Sequence, residues 1–221
     1  MLKPSDARTH YDKLGAGQNR ELRYAAPAFD AILRHGRFAE ADAVLELGCG
    51  TGILARDLLK ARAHLSYLGL DIAPAMTRLT RDALRPFYRR YLVAEADATA
   101  MLPLANRTVD RVVAAYFLEI LPPAIQTEVL FEAARVLRPG GLLCAASLGR
   151  DGSLPERMRM TFWDLVHAVA PARVGGCRPI RLRHRLEAAG WRIVHHEAVS
   201  AAGLPSDVVI ARPPSPDDNR S

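Results

Sequence analysis

Apolar and polar positions along this chain follow two rhythms. Short apolar runs at 43–47, 66–70, 91–95, 109–115 and 141–147 have the length and boundaries of buried strands. Between them, 53–62, 74–85 and 123–138 carry apolar residues at helical spacing. Strand–helix alternation at this interval predicts a mostly parallel sheet wound on both faces. Residues 20–35 read as a further helix stopped by Gly36. The segment Arg135-Val136-Leu137-Arg138-Pro139-Gly140-Gly141 reads as a basic last helical turn followed by proline and glycine stop signals.

After the fifth strand the rhythm breaks. Residues 149–152 read as a turn, and 155–169 as an amphipathic helix carrying Met158, Phe162, Trp163, Leu165, Val166 and Val169. A glycine- and proline-interrupted loop follows at 171–179, then a helix at 181–189 capped by Gly190. Strands at 191–197 and 207–211, with a turn around Gly203-Leu204-Pro205, predict a closing hairpin. The polar residues 1–19 predict a mobile arm and 213–221 a disordered tail.

One junction between these elements carries chemistry. Val44-Leu45-Glu46-Leu47-Gly48-Cys49-Gly50-Thr51-Gly52 is a buried strand running into a glycine-rich turn, with a helix opening at Ile53. Glycines let the backbone turn tightly and approach a ligand with no Cβ in the way. The turn also aims the N–H groups of the following helix at that ligand. A dinucleotide fold wants G-x-G-x-x-G, but the third position here falls on Ile53. The actual pattern is G-x-G-x-G preceded by an acid, Glu46. A carboxylate beside the turn repels a pyrophosphate and suits a ligand with an ammonium or hydroxyl groups.

Two more acids stand at strand ends. Asp71 closes Tyr67-Leu68-Gly69-Leu70-Asp71-Ile72, 23 residues after Gly48, near the spacing of about 20 for a ribose-binding acid. One carboxylate can accept two O–H bonds there, and charge-assisted bonds are the strong kind. Glu95-Ala96-Asp97-Ala98 follows the third strand, where an acid and a backbone amide can read an adenine edge.

These motifs together resemble those of the class I S-adenosylmethionine-dependent methyltransferases. Their first motif, hydrophobic-x-[DE]-x-G-x-G-x-G, is matched by Leu45 to Gly52, and R-V-L-[KR]-P-G-G by Arg135 to Gly141. The resemblance is close over residues 40–147 and looser at the ends. It implies an α/β, Rossmann-like, doubly wound sheet of seven strands, mostly parallel, with a C-terminal antiparallel hairpin. It divides the chain into an N-terminal arm and helix acting as a lid (1–38), a cofactor-binding core (39–149), a substrate-side helical insert (150–180), a C-terminal helix and hairpin (181–212) and the tail (213–221). It implies S-adenosylmethionine as cofactor, with S-adenosylhomocysteine as product. The implied cofactor residues are Glu46, Gly48, Gly50, Gly52, Asp71, Ile72, Met76, Asp97, Ala98, Tyr116 and Tyr11. Met76 serves equally as a helix core residue. Ala73 replaces the serine of the family's D-x-S-x-x-M.

Within the class, the chain looks most like small-molecule and quinone-type C-methyltransferases. It is also similar to bacterial phosphatidylethanolamine N-methyltransferases, which carry a Tyr-Asp near the N-terminus, here Tyr11-Asp12. That likeness implies that Tyr11 closes over the sulfonium, where an aromatic face is attractive to a cation. After the fourth strand, Ala114-Ala115-Tyr116 stands where nucleic-acid and protein amino-methyltransferases place [DN]-P-P-[YF]. This argues against DNA adenine, cytosine N4 and glutamine as substrates. Glu119 and His10 are the candidate general bases, with Tyr11 as a third catalytic candidate.

Composition bounds the remainder. The chain has 221 residues, a length suited to one substantial core. No apolar run approaches the roughly 18 residues that span a bilayer. Cys49, Cys144 and Cys177 form no C-x-x-C pair, so neither a disulfide framework nor a zinc site is expected, and a cytoplasmic location follows. His195 and His196 are strand neighbours on opposite faces, and no histidine spacing indicates a metal. The net charge is +6, but its arginines are spread among acids, so no nucleic-acid partner is expected. The densest basic run, 178–185, leaves peripheral membrane contact open.

The function expected is methyl transfer to a small, aromatic or quinone-like acceptor by in-line displacement. The alternatives are a phospholipid headgroup N-methyltransferase at a membrane surface and a non-catalytic cofactor-binding partner module. The expected acceptor pocket combines residues 1–30, Tyr116 to Glu119 and the 150–180 insert, including Phe162, Trp163 and His167, although core packing suits Trp163 better. Acceptor identity, acceptor atom and oligomeric state are not encoded in any motif.

Overall fold

Strand β1 (Ala43–Leu47) lies inside a seven-stranded sheet in the order β3-β2-β1-β4-β5-β7-β6. The computed structural model describes residues 4–17, 24–150 and 152–214. β2 (Ser66–Asp71), β3 (Tyr91–Glu95), β4 (Val109–Ala115) and β5 (Leu137–Leu148) run parallel to β1. β7 (Leu204–Arg212) enters antiparallel between β5 and the edge strand β6 (Arg192–Ala201). The strand order reverses at β1, with β2 on one side and β4 on the other. In open α/β sheets such a switch point opens a crevice beyond the strands' carboxyl ends. The glycine turn that follows β1 therefore sits where a ligand is received.

The central strands are buried on both faces, so successive residues serve opposite cores. Val44, Val113, Cys144 and Ala146 face the layer formed by α2 (Ala26–His35) and α3 (Ile53–Ala61). Leu45, Val112, Ala114, Leu143 and Ala145 face α5 (Pro123–Val136) and α7 (Leu182–Ala188). α3 supplies Leu54, Leu58 and Leu59, and α5 supplies Val129, Leu130 and Ala133, at helical spacing. Each large aliphatic side chain buried this way contributes about 1.5–3 kcal/mol of burial free energy. α4 (Pro74–Leu84) follows β2 and starts on a proline, which is pre-set for a first helical turn.

Four expectations are revised. Residues Pro4–Leu14 form a helix, α1, rather than a mobile arm. Tertiary contacts hold it: Asp12 Oδ1 accepts the Ala75 N–H at 2.8 Å, and Arg8 pairs with Glu95 at 2.7 Å. The helix expected over 20–35 is observed as α2 from Ala26, and residues 18–23 lie outside the described part. The helix expected to reach 138 ends at Val136, and Leu137 already pairs with Val109. Arg138 bonds both carboxylate oxygens of Asp110 at 3.0 Å, which draws the chain into the sheet before Pro139. The closing hairpin has longer arms than the polarity pattern implied and turns at Ala202-Gly203. The tail from 215 lies outside the described residues. α6 (Leu154–Val169) opens with a capping box between Ser153 and Glu156. Among the described residues, no helix is long and apolar enough to cross a membrane.

Candidate active site

The glycine turn folds by the opposing demands of its three glycines. Gly48, Gly50 and Gly52 have φ of 69°, 54° and 75°. A Cβ on Gly48 would lie 2.8 Å from Phe117 Cδ2, and one on Gly52 only 2.9 Å from Thr80 Cα. The turn is anchored to β2, because the N–H groups of Gly48 and Cys49 both donate to the Leu70 carbonyl. Thr80 Oγ1 donates to the Gly50 carbonyl at 2.8 Å, fixing the turn against α4.

Around this turn lies a cavity of about 460 Å³. Glu46, Asp71 and Asp97 form its acidic wall. Asp71 Oδ2 accepts the Gly50 N–H at 2.9 Å, and Oδ1 accepts the Ala73 N–H at 2.9 Å. Each oxygen keeps lone-pair capacity for a further donor. Burial raises the Asp71 carboxyl, while the backbone bonds from Ala73 and Gly50 lower it. Glu46 is 4% exposed, and burial pushes its carboxyl up to about 8. Tyr67 donates to it, pulling the other way, and the charge of Asp71 adds to the rise. Asp97 Oδ1 accepts from Thr99 N and Thr99 Oγ1, which orients the loop that carries Ala98.

The other side of the cavity is apolar. Phe29, Phe117, Ile120, Leu121 and Ile125 line it, with Tyr116 beside them. Tyr116 has φ of 55°, an uncommon conformation for an aromatic residue. Its ring meets Tyr24 edge-on at 5.3 Å, and its hydroxyl shares a 2.8 Å hydrogen bond with Ser206 Oγ. Tyr11 reaches the wall from α1 and donates to the Gly175 carbonyl at 3.2 Å. Burial holds its phenol well above the ordinary range, so it is protonated.

All eleven residues read from sequence as cofactor contacts line this one cavity: Tyr11, Glu46, Gly48, Gly50, Gly52, Asp71, Ile72, Met76, Asp97, Ala98 and Tyr116. The catalytic candidates divide. Tyr11 is on the wall, whereas His10 and Glu119 are not. Glu119 is 0% exposed, and both its oxygens lie 3.3 Å from the Leu148 N–H. Burial alone pushes its carboxyl up to about 8. The expectation that Glu119 faces the reacting end is corrected to this buried position. His10 packs edge-on against Tyr11 at 5.2 Å.

The insert is corrected too. Among the described residues of 150–180, only Gly175 reaches the cavity. Phe162 points outward at 65% exposure, and Trp163 donates to the Cys177 carbonyl at 2.9 Å. Phe29 and Phe117, inside the expected segments 1–30 and Tyr116 to Glu119, build the apolar wall together with Ile120 and Ile125. Their only sequence signal is apolar character beside a motif, which core residues share.

The cavity fits S-adenosylmethionine. Thr51 Oγ1, on its wall, is buried and has no protein partner among the described residues. Gly48, Gly50 and Gly52 present bare backbone on that wall, which a ligand can approach closely. Acids suit the ligand's ammonium and ribose hydroxyls, and Ile72, Met76 and Ala98, also on the wall, suit adenine.

Comparison with known proteins agrees. Residues 44–141 match the family described as "Methyltransferase domain". A malonyl-[acyl-carrier protein] O-methyltransferase of Laribacter hongkongensis is 39% identical over 150 residues, 64% of this chain and 47% of that protein. A ubiquinone/menaquinone biosynthesis C-methyltransferase of Syntrophotalea carbinolica is 31% identical over 131 residues, 59% of this chain and 51% of that protein. The N-methyltransferase NodS of Bradyrhizobium japonicum, solved with S-adenosylhomocysteine, superposes with a TM-score of 0.65 at 16% identity, covering 86% of this chain and 87% of that one. The chain spans about half the length of these two curated relatives. By fold, motif and matched domain, it belongs to the class I S-adenosylmethionine-dependent methyltransferases.

Proposed function

We propose that this protein transfers a methyl group from S-adenosylmethionine to a small, apolar, aromatic or quinone-like acceptor by in-line displacement. The observation that carries this reading is a single cavity, acidic on the Glu46–Asp71–Asp97 side and apolar on the Phe29–Phe117–Ile125 side. When bound, S-adenosylmethionine supplies an electrophilic methyl on a sulfonium. The chain's own contribution is placement. Asp71 and the glycine turn hold one partner, and Phe29, Tyr116, Phe117 and Ile125 position a flat apolar one. Such alignment supplies roughly 7–11 kcal/mol of a barrier without a strong base. Tyr11, protonated and tied to Gly175, closes the cavity and excludes water. Both O- and C-methyl transfer occur among the relatives' names, which supports an acceptor that offers a nucleophilic oxygen or an activated carbon. The experiment is incubation with methyl-labelled S-adenosylmethionine and a panel of phenols, quinols and heteroaromatic amines, read by mass spectrometry. Label in a product, lost in Asp71→Ala, supports the reading. Complete absence of label transfer across the panel and a cell extract opposes it and favours a non-catalytic binding module.

One observation favours a second setting, an acceptor met at a membrane surface. Leu154, Met158, Phe162, Leu165 and Val169 are each at least 60% exposed and fall on one stripe of α6. A stripe of this kind can lie in a lipid interface, and a net charge of +6 favours anionic lipid. Sedimentation with anionic vesicles, abolished by Phe162→Glu, supports this setting. No co-sedimentation removes it.

A further inference from the structure

At the far edge of the sheet from the glycine turn, three side chains with metal-ligating atoms meet. His35 is the last residue of α2, and His195 and Glu197 stand on the edge strand β6. No spacing in the sequence announces them, since 160 positions separate His35 from His195. We propose that His35, His195 and Glu197 form a binding site for one divalent transition-metal ion of the zinc type.

The geometry carries the proposal. His35 Nε2 and His195 Nε2 each lie 3.4 Å from Glu197 Oε2. Ligand atoms about 2.0–2.1 Å from a tetrahedral zinc stand about 3.4 Å apart, so both measured edges fit. One ligand atom from each residue lies within 4.8 Å of the other two. The imidazole rings stack at 3.7 Å with their planes 15° apart. Ligation therefore requires the rings to splay until each in-plane lone pair meets the ion. Their side chains, 35% and 30% exposed, have room to turn.

A local defect in β6 brings the ligands round. Ile193 and Val199 are six apart and would face the same way on a regular strand. Instead, Ile193 packs against the cluster that holds Leu182, Leu186 and Trp191, whereas Val199 packs against the cluster of Ala28 and Ile32. The register shift between Ile193 and His195 supplies this change of face. Bulges commonly re-aim a side chain in this way. It turns His195 and Glu197 toward the end of α2.

The surroundings also suit a cation. His35 ends a helix, where the backbone carbonyls favour positive charge. Arg34 lies 3.4 Å from Glu197 Oε1 and leaves Oε2 to face the imidazoles. A carboxylate ligand held by an outer partner is a common arrangement. Two imidazoles and one carboxylate select zinc, nickel, cobalt or copper over magnesium or calcium. Three protein ligands leave a fourth position open. Because α2 also carries Phe29 on the cavity wall, the ion would clip that wall to the sheet edge.

The test is titration of the full, tag-free chain with Co²⁺, followed by Zn²⁺ competition and calorimetry with Zn²⁺. Expected are one equivalent bound, the visible d–d absorption of four-coordinate cobalt without a thiolate charge-transfer band, and a higher melting temperature. His195→Ala and Glu197→Gln weaken binding by at least about tenfold. His64→Ala and His184→Ala, at exposed positions elsewhere, leave it unchanged. Glu197→Gln preserves shape and so separates ligation from folding. Absence of stoichiometric binding, a thiolate band, or equal affinity in Glu197→Gln and the parent would overturn the site. An inert cluster of His–Glu contacts gives the first of these results.

Discussion

The hydroxyl of Tyr67 donates a 2.5 Å hydrogen bond to Oε2 of Glu46, linking β2 to the strand that enters the glycine turn. The ring reaches across Gly69, where a Cβ would lie 2.8 Å from the Tyr67 hydroxyl oxygen. Glu46 is thus a carboxyl buried and oriented before any ligand arrives. Gly69, which carries no obvious motif, makes the contact possible.

This pair predicts a proton release. The Glu46 carboxyl is raised to about 8, so at pH 7 it is largely protonated. A ligand ammonium favours the ionised form, and binding at pH 7 expels up to about one proton. Calorimetry in buffers of different ionisation enthalpy measures this release, and Glu46→Gln removes it. Identical heats in all buffers for the parent chain would contradict the pairing.

Gly52→Ala tests the turn. Its φ of 75° disfavours a side chain, and the new Cβ meets Thr80 backbone at 2.9 Å. The left-handed conformation alone costs about 1–2 kcal/mol. Thermal unfolding is expected roughly 2–8 °C lower for a chain of this size. An unchanged melting temperature would show that the turn relaxes freely.

Asp12 caps a helix that is not its own. Its Oδ1 accepts the Ala75 N–H in the first turn of α4, while Tyr11 beside it bonds Gly175. Asp12→Ala is expected to cost about 1 kcal/mol, as for lost N-caps. Faster hydrogen exchange in residues 4–14 should accompany it, with partial rescue in Asp12→Asn. Parent-like exchange in Asp12→Ala would mean that the helix docks without this bond.

Glu119 gives a prediction with a definite sign. Its folded carboxyl is raised to about 8, above the ordinary 4.5. Its stabilising contribution is full below pH 4.5 and is lost as pH rises through 8. Glu119→Gln therefore gains stability relative to the parent as pH increases across that window, and it leaves S-adenosylhomocysteine affinity unchanged. Denaturant unfolding at pH 6 and pH 9 checks this. A variant equally affected at both values would argue that Glu119 is ionised throughout.

The cofactor side was legible in sequence for a physical reason. Gly48, Gly50, Gly52, Asp71 and Asp97 sit at strand ends, where local chain geometry fixes what they can face. The apolar wall was legible only by segment: Phe29 and Phe117 fall in stretches expected to line the pocket, while Ile120 and Ile125 differ from core residues only by where the fold leaves space. The helix at Pro4–Leu14 was hidden for a related reason: it is polar, and its order comes from Asp12 and Arg8 meeting other elements. The His35–His195–Glu197 cluster needed both the position of α2 on the sheet and a bulge in β6, neither of which periodicity reveals.

The most direct measurement is isothermal titration of S-adenosylhomocysteine into the parent chain and Asp71→Ala, with circular dichroism confirming that both are folded. One site in the parent is predicted, and loss of measurable binding in Asp71→Ala. Absence of binding in the folded parent, or equal affinity in the two proteins, would contradict the assignment of this cavity to the methyl donor.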